Sequence, residues 1–367
     1  MDSAESKAPC RGGQGFRYDQ LESPRSFRLL SLRSSTSKDD RIEFSMSTHT
    51  LISGQYPEYT ALSYTWGSPE RIASVLLDGV EYGVTPALLE AMQHLKRVDK
   101  CQANFWWIDM LCINQNDDAE RGHQVGIMRH IFQSANRVVA WMGPADSDSS
   151  HLMRKLRRWS TCGDCWLDEA LDFLSRPYWT RLWIVQELCV AKDILPVCGE
   201  DTAPWSAFHR TIDILGNGIT TETLGHTQVM NLYTRVVLRE KFQTRGTNLE
   251  LLLTLCSQAK ASDARHKVFA LLGLANDEAT REIVPDYSLS PCTVYCLAIQ
   301  AIFKKLSKDW DPENLNEKGI ADVVNQTHHE ALREDNSDAR VDCDGMKCGS
   351  WRSCLEIASR SSHLPFF

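Results

Sequence analysis

The chain has 367 residues, of which 43% are hydrophobic and 24% charged, with a net charge of −8. These are ordinary globular values and leave room for one large domain or two smaller ones. The acidic balance argues against general polyanion binding, which needs a basic footprint, and no apolar run approaches the roughly 18 residues of a membrane span. The opening "MDSAESKAPCRGGQGFRYD" lacks the apolar core of a signal peptide, so a soluble cytoplasmic protein with no nucleic-acid partner and no membrane span is expected.

In chain order, residues 1–17 read as disordered. From Tyr18 the pattern is strand-like, with "FRLLSL" and "RIEFSM" separated by the polar stretch "RSSTSKDD". "YTALSYTWGSPE" is a short apolar strand ending at Trp66–Gly67 and a Ser-Pro turn. "SVLLDGVEYGV" reads as a hairpin, because Asp78–Gly79 between two apolar runs suits a tight primed turn. Thr85 as N-cap and Pro86 at the first helical position then open a helix with Leu88, Leu89, Met92 and Leu95 at helical spacing.

In "FWWIDMLCINQND", Phe105 to Ile108 predict a strand buried on both faces, as in a parallel sheet, with Asp109 at its end. Asp117 and Glu120 have capping-box spacing, Glu120 being read as a capping residue. The helix they open carries Val125, Met128, Ile131, Phe132 and Ala135 on one side. "NRVVAWMG" is the next strand, which completes a βαβ unit. Helices are predicted around His151 to Trp159, Leu167 to Ser175 and from near Tyr178, then a strand over Ile194 to Cys198 that Pro196 places at a sheet edge. From about Thr202 the pattern is mostly helical, and from about Ser307 it is polar and irregular. The domain reading is a disordered segment over 1–17, an α/β domain over 18–200, a helical extension over 201–306 and a tail over 307–367.

Thirteen cysteines are present. Several, such as Cys112, Cys189 and Cys256, sit inside apolar runs, where a thiol behaves as a small hydrophobe, and no disulfide framework is expected. Cys162 and Cys165 form a Cys-x-x-Cys pair, which suits redox chemistry or half of a zinc site. A second pair with matching spacing is missing, since Cys343, Cys348 and Cys354 are irregular and distant. Two incidental thiols are the favoured reading, and no metal is expected.

Phosphate-loop, Gly-x-Gly-x-x-Gly, Gly-x-Ser-x-Gly and His-Glu-x-x-His signatures are absent from the sequence. Polar groups near strand ends remain, and in open α/β sheets ligands bind beyond the carboxyl ends of the strands. Three segments deliver such groups: Ser63 to Trp66, Asp109 to Gln115, and the turn after Trp141. Asp109 either holds a ligand hydroxyl or bonds amides of its own loop. Glu187 lies four residues after Trp183 and three after Ile184, on a mostly apolar helix face. Burial of its charge is costly, so its pKa should rise, which suits acid–base or cation-stabilising work. The bland alternative is a salt bridge to Arg181 or another base that locks the helix.

Taken together, "YTALSYTWG" (59–67), "WIDMLCINQND" (107–117) with "ER" (120–121), "ANRVVAWMG" (135–143), "RPYWTRLWIVQELCVA" (176–191), "VCG" (197–199), "DARHKVFALLGLA" (263–275) and "VPDYS" (284–288) resemble the fungal heterokaryon incompatibility (HET) domain family. The resemblance runs from about Tyr18 to Ala301. Family members often continue into further domains, whereas this sequence stops at "HLPFF", as a short member or a truncated gene model would.

The resemblance implies a role in fungal non-self recognition and regulated cell death. It also implies a fold like that of Toll/interleukin-1 receptor (TIR) domains: α/β, with a flavodoxin-like, mostly parallel sheet flanked by helices, N-terminal strands with a hairpin, and a helical C-terminal extension. In the enzymatic branch of that superfamily, the glutamate matching Glu187 is catalytic for cleaving NAD to nicotinamide and ADP-ribose. On that basis Glu187 is the catalytic candidate, and Ser63, Tyr64, Trp66, Gly67, Asp109, Asn114, Arg181 and Trp183 are candidates for holding the ligand. NAD would be a substrate, with no permanently bound cofactor. Self-association and an incompatibility partner protein are the implied interactions. The rival reading is a non-catalytic TIR-like module that signals death by self-assembly, with Glu187 structural.

Overall fold

The structure, a computed structural model, describes residues 15–33, 41–52, 55–158, 167–218, 246–306 and the isolated positions 238, 239, 242, 342, 343, 346 and 347. The readings of 1–14 as disordered, of most of the tail and of Cys162 and Cys165 lie outside the described residues.

Nine strands form one mixed sheet. In chain order they are β1 (Ser26–Leu32), β2 (Glu43–Thr50), β3 (Thr60–Ser63), β4 (Ala73–Leu77), β5 (Val80–Val84), β6 (Trp106–Trp107), β7 (Arg137–Trp141), β8 (Ile194–Cys198) and β9 (Asp201–Thr202). Their order across the sheet is β5-β4-β2-β1-β6-β3-β7-β8-β9. β6-β3-β7-β8 is a parallel block, whereas β1 is antiparallel to both β2 and β6, and β4–β5 and β8–β9 are antiparallel too. The expectation of a mostly parallel sheet is corrected accordingly. The N-terminal strands are half of the same sheet, because β1 hydrogen-bonds the open edge of β6.

Local chemistry accounts for most elements. At the β4–β5 turn, Asp78 and Gly79 have φ of 49° and 78°, the backbone of a primed hairpin turn. The Thr85 hydroxyl caps helix α1 (Pro86–Leu95), which buries Leu88, Ala91, Met92 and Leu95. β6 is shorter than predicted, and its strand geometry stops where Asp109 starts a single-turn helix, α2 (Asp109–Cys112). Asp117 caps α3 (Asp118–Ser134) through the Glu120 amide. Glu120 itself does not reach back to the cap. It turns to Arg28 of β1, with contacts of 2.6 and 2.9 Å to the two guanidinium nitrogens. This corrects the capping-box reading: a buried arginine with no other carboxylate at hand outcompetes a local amide.

α3 connects β6 to β7 across β3, leaving β3 at the centre of the parallel block between two strands that both come later in the chain. α4 (Ser147–Arg158), α5 (Leu167–Leu174), α6 (Pro177–Thr180) and α7 (Trp183–Val190) lead from β7 to β8. The single helix expected from Tyr178 is therefore broken at Arg181 and Leu182. Arg181 is extended, with φ −69° and ψ 140°. The break is pinned from outside, by Lys260 N–H donating to Thr180 O at 2.7 Å and Leu182 N–H donating to Lys260 O at 2.9 Å. Pro196 lies one strand in from the edge. It is accommodated because β9 pairs only Val197 and Cys198. Helices α8 (Trp205–Gly218), α9 (Leu249–Leu255), α10 (His266–Leu272) and α11 (Pro291–Leu306) complete the described chain, with α10 packed on α7. Among the described residues, no helix is long and apolar enough to cross a membrane.

Candidate functional site

β3 lies between β6 and β7, both parallel to it, with the chain passing from one side of it to the other, so a crevice is expected beyond its carboxyl end. Ser63 is the last residue of β3 and is buried. Its hydroxyl donates to Glu187 Oε2 of α7, and the Tyr178 hydroxyl of α6 lies 2.8 Å from Ser63 Oγ. With the serine proton committed to the carboxylate, the tyrosine is the donor of the second bond, so the relay runs Tyr178 to Ser63 to Glu187. The other carboxylate oxygen, Glu187 Oε1, is 3.6 Å from Arg181 Nη2. Arg181 stands at the helix break described above, and α6 and α7 therefore meet at the charged group.

Asp109 approaches from β6. Its Oδ1 accepts the Met110 amide at 2.7 Å and its Oδ2 accepts the Trp66 indole N–H at 2.8 Å. Trp66 lies in the loop after β3, and Gly67 turns that loop with φ of 69°, a conformation side chains resist. The Tyr64 hydroxyl is buried beside the Asp109 carboxylate, and burial first and that carboxylate second raise its pKa.

The electrostatics follow from two carboxylates around one guanidinium. Burial raises the pKa of Glu187, the Asp109 charge adds to the rise, and Arg181 and Ser63 oppose it. Burial likewise raises Asp109, against Arg181 and the Trp66 indole. Arg181 keeps one buried nitrogen, Nη1, with no hydrogen-bond partner. Such a donor is costly to leave unpaired, and it is what a carboxylate, phosphate or ribose oxygen entering the crevice would satisfy. Glu187 is only 3% exposed, whereas Asp109, Arg181, Trp66 and Trp183 are half-buried and form the accessible rim.

The structure thus brings Ser63, Tyr64, Trp66, Asp109, Arg181 and Glu187 together, with Gly67 shaping the loop. Trp183 sits at the start of α7, its ring edge-on to His266 at 5.1 Å. Asn114 shares no hydrogen bond with the group: its amide donates to Glu120 Oε1 at 2.7 Å and its side chain accepts the Asn116 amide at 3.2 Å. Tyr178 was not singled out from sequence, although it lies in the quoted segment "RPYWTRLWIVQEL". Nothing in the spacing of 115 residues to Ser63 could announce their bond. Among the described residues no three His, Cys, Asp or Glu side chains are grouped to hold a metal.

Residues 59–187 match the family model described as "Heterokaryon incompatibility protein (HET)". The chain is also similar to heterokaryon incompatibility protein 6, OR allele, of Neurospora crassa, at 27% identity over 80% of this chain and 54% of the relative. The chain therefore spans about half the length of the curated relative it matches. No solved structure matches it.

Proposed function

We propose, from the match of residues 59–187 to the heterokaryon incompatibility (HET) family model, that this chain acts in fungal non-self recognition and cell death as a TIR-like module that cleaves NAD to nicotinamide and ADP-ribose. The observation that carries the enzymatic reading is the convergence of Glu187, Asp109 and Arg181 beyond the carboxyl ends of β3 and β6, with Arg181 Nη1 unpaired. The TIR-like reading draws on the parallel block β6-β3-β7-β8 with its switch at β3. The name of the Neurospora relative supports the biological role.

In the proposed reaction the nicotinamide–ribose bond breaks through an oxocarbenium-like state, and water completes the hydrolysis. A carboxylate beside the ribose stabilises the developing positive charge. Glu187 is the candidate, and Asp109 adds a second negative group facing the same guanidinium. Arg181 would hold a ribose or phosphate oxygen, and Trp66 or Trp183 offers a face for a ring. Exclusion of water from the Glu187 side of the site strengthens each of these interactions.

A specific observation favours the second reading, a self-assembling module without chemistry: both oxygens of Glu187 already face Ser63 and Arg181, as a structural tie requires. One experiment separates the two. Concentrated protein, shown to be folded and self-associated, is incubated with NAD and nicotinamide release is followed by chromatography, with Glu187→Gln alongside. Release by the wild type alone supports catalysis at Glu187. No release from either supports the assembly reading.

A further inference from the structure

α7 borders two different environments. Its Glu187 side faces the end of β3. At its C-terminal end, residues Cys189 to Lys192 form one wall of a separate groove of about 890 Å³, bounded on the other sides by α3, α10 and the 274–285 segment. That volume lies in the upper part of the range of about 300–1,000 Å³ usual for small-molecule sites. The groove and the Glu187 group share no residue.

The charge of the groove is opposite to that of the chain. The protein carries −8 overall, yet among the described residues the groove is lined by Arg129, His130, Lys192 and Arg281 and by no aspartate or glutamate. Lys192 has a structural explanation, because its ammonium donates to Ser134 O at the end of α3 at 3.2 Å. Arg129 and Arg281 do not. Arg129 Nε is buried without a hydrogen-bond partner, its guanidinium stands over the Phe242 ring at 5.2 Å, and neither arginine has a carboxylate partner among the described residues. Burial and the nearby Arg281 charge together lower the Arg129 pKa. Two like charges facing one space with no counter-charge are a destabilising arrangement that a bound anion relieves.

The walls are tightly made. A Cβ at Gly273 would run into Gln186 Nε2 and stand 3.0 Å from Arg129 Cβ, so α10 is held close against α7 and α3. At Gly246, where φ is 71°, a Cβ would stand 2.5 Å from Asn276 Nδ2. Beside the cations the lining is apolar, with Phe242, Phe269, Leu272 and Ile283.

We propose that this groove is a second ligand site, for a soluble organic phosphate whose phosphoryl oxygens lie on Arg129 and Arg281 and whose apolar or ring portion lies against Phe242 and Phe269. A guanidinium stacked on an aromatic ring and short of acceptors is the group best suited to planar, bidentate phosphate recognition. The site stands independently of the NAD-cleaving reading, since none of the residues that carry it belongs to the Glu187 group.

The test is calorimetric titration of the full chain with pyrophosphate and with ADP, together with co-sedimentation on phosphatidylserine vesicles. Saturable pyrophosphate binding is expected, tighter for ADP, weakened at least about tenfold by Arg281→Gln and by Arg129→Gln and unchanged by Arg97→Gln on the remote surface. Arg281 is exposed, so Arg281→Gln keeps the test readable if Arg129→Gln fails to fold. Absence of saturable binding, or wild-type affinity in Arg281→Gln, overturns the proposal. Binding to vesicles without binding to pyrophosphate or ADP also overturns it, in favour of a membrane surface.

Discussion

Two buried arginine–glutamate pairs, built from the same residue types, differ in how closely they are closed. Arg28 and Glu120 meet through two short contacts of 2.6 and 2.9 Å. Arg28 also donates to Cys112 O at 3.0 Å and Asp19 O at 2.6 Å, and the Tyr18 ring covers its guanidinium at 4.7 Å. Glu120 accepts the Asn114 amide as well. Arg181 and Glu187, in contrast, meet once at 3.6 Å, with a second carboxylate opposite. Each arginine keeps one buried nitrogen without a partner, Nε in Arg28 and Nη1 in Arg181. The first pair is closed by two short contacts and two backbone acceptors that tie β1 to the α2–α3 loop, whereas the second is held by one longer contact with two carboxylates about one guanidinium, an arrangement that favours a ligand at a strand end.

The largest expected effect breaks the first pair. Glu120→Ala leaves Arg28, 1% exposed, without its counter-charge, and loss of one partner of a buried pair typically costs about 3–5 kcal/mol. Urea unfolding should show that loss in the midpoint with little change in slope. A cost near zero would mean that water reaches Arg28 and that the two pairs are less different than their geometry.

Next in size, Glu187→Gln should separate activity from stability. The amide keeps the volume and can still accept from Ser63, so stability should shift by only about 1 kcal/mol. Nicotinamide release should fall on the order of 100-fold or more, the usual scale for removing a charge that stabilises a transition state. Equal activity with a large loss of stability would make the second pair a tie like the first.

How much of this could be read from the sequence depends on the range of each interaction. The Asp78–Gly79 turn, the Thr85 cap, the apolar face of α3 and strand β7 are set by residues within a few positions of one another, and each was legible. The destination of Glu120 was not, because its partner Arg28 lies 92 residues away and local spacing suggested a capping box. The break between α6 and α7 depends on the Lys260 backbone, so a local helical pattern carried straight through it. Glu187 stood out as an acid on an apolar face, yet its bond to Ser63 spans 124 residues. Only the strand-end rule for α/β sheets hinted that the two would meet.

A smaller effect tests the shared charge at the crevice. The folded pKa values of Glu187 and Asp109 are raised above the ordinary 4.5 and 3.8 by burial. Between those ordinary values and the folded ones, the native chain binds more protons than the unfolded chain. Stability from these groups is therefore present at low pH and declines as pH rises through the folded values, then levels off. Urea midpoints measured upward from about pH 4 should show this decline, and Asp109→Asn should reduce it. A decline unchanged in Asp109→Asn would remove Asp109 from the coupled group.

The smallest effect supplies the scale for the others. Arg33 and Glu43 form a further arginine–glutamate pair, at 3.3 Å between β1 and β2, with side chains 53% and 26% exposed. Water solvates both charges whether or not they touch, so Arg33→Ala should cost only about 0–1 kcal/mol, and less in high salt. Glu43→Ala, the glutamate truncation in this exposed pair, should likewise cost only about 0–1 kcal/mol, and its contrast with Glu120→Ala isolates burial because the residue removed and the contact class are the same. If Arg33→Ala cost as much as Glu120→Ala, the loss would reflect packing of the arginine stem on β1 rather than charge. The single 3.6 Å contact and the second carboxylate at Arg181 would then be what still separates the end of β3 from an ordinary ion pair.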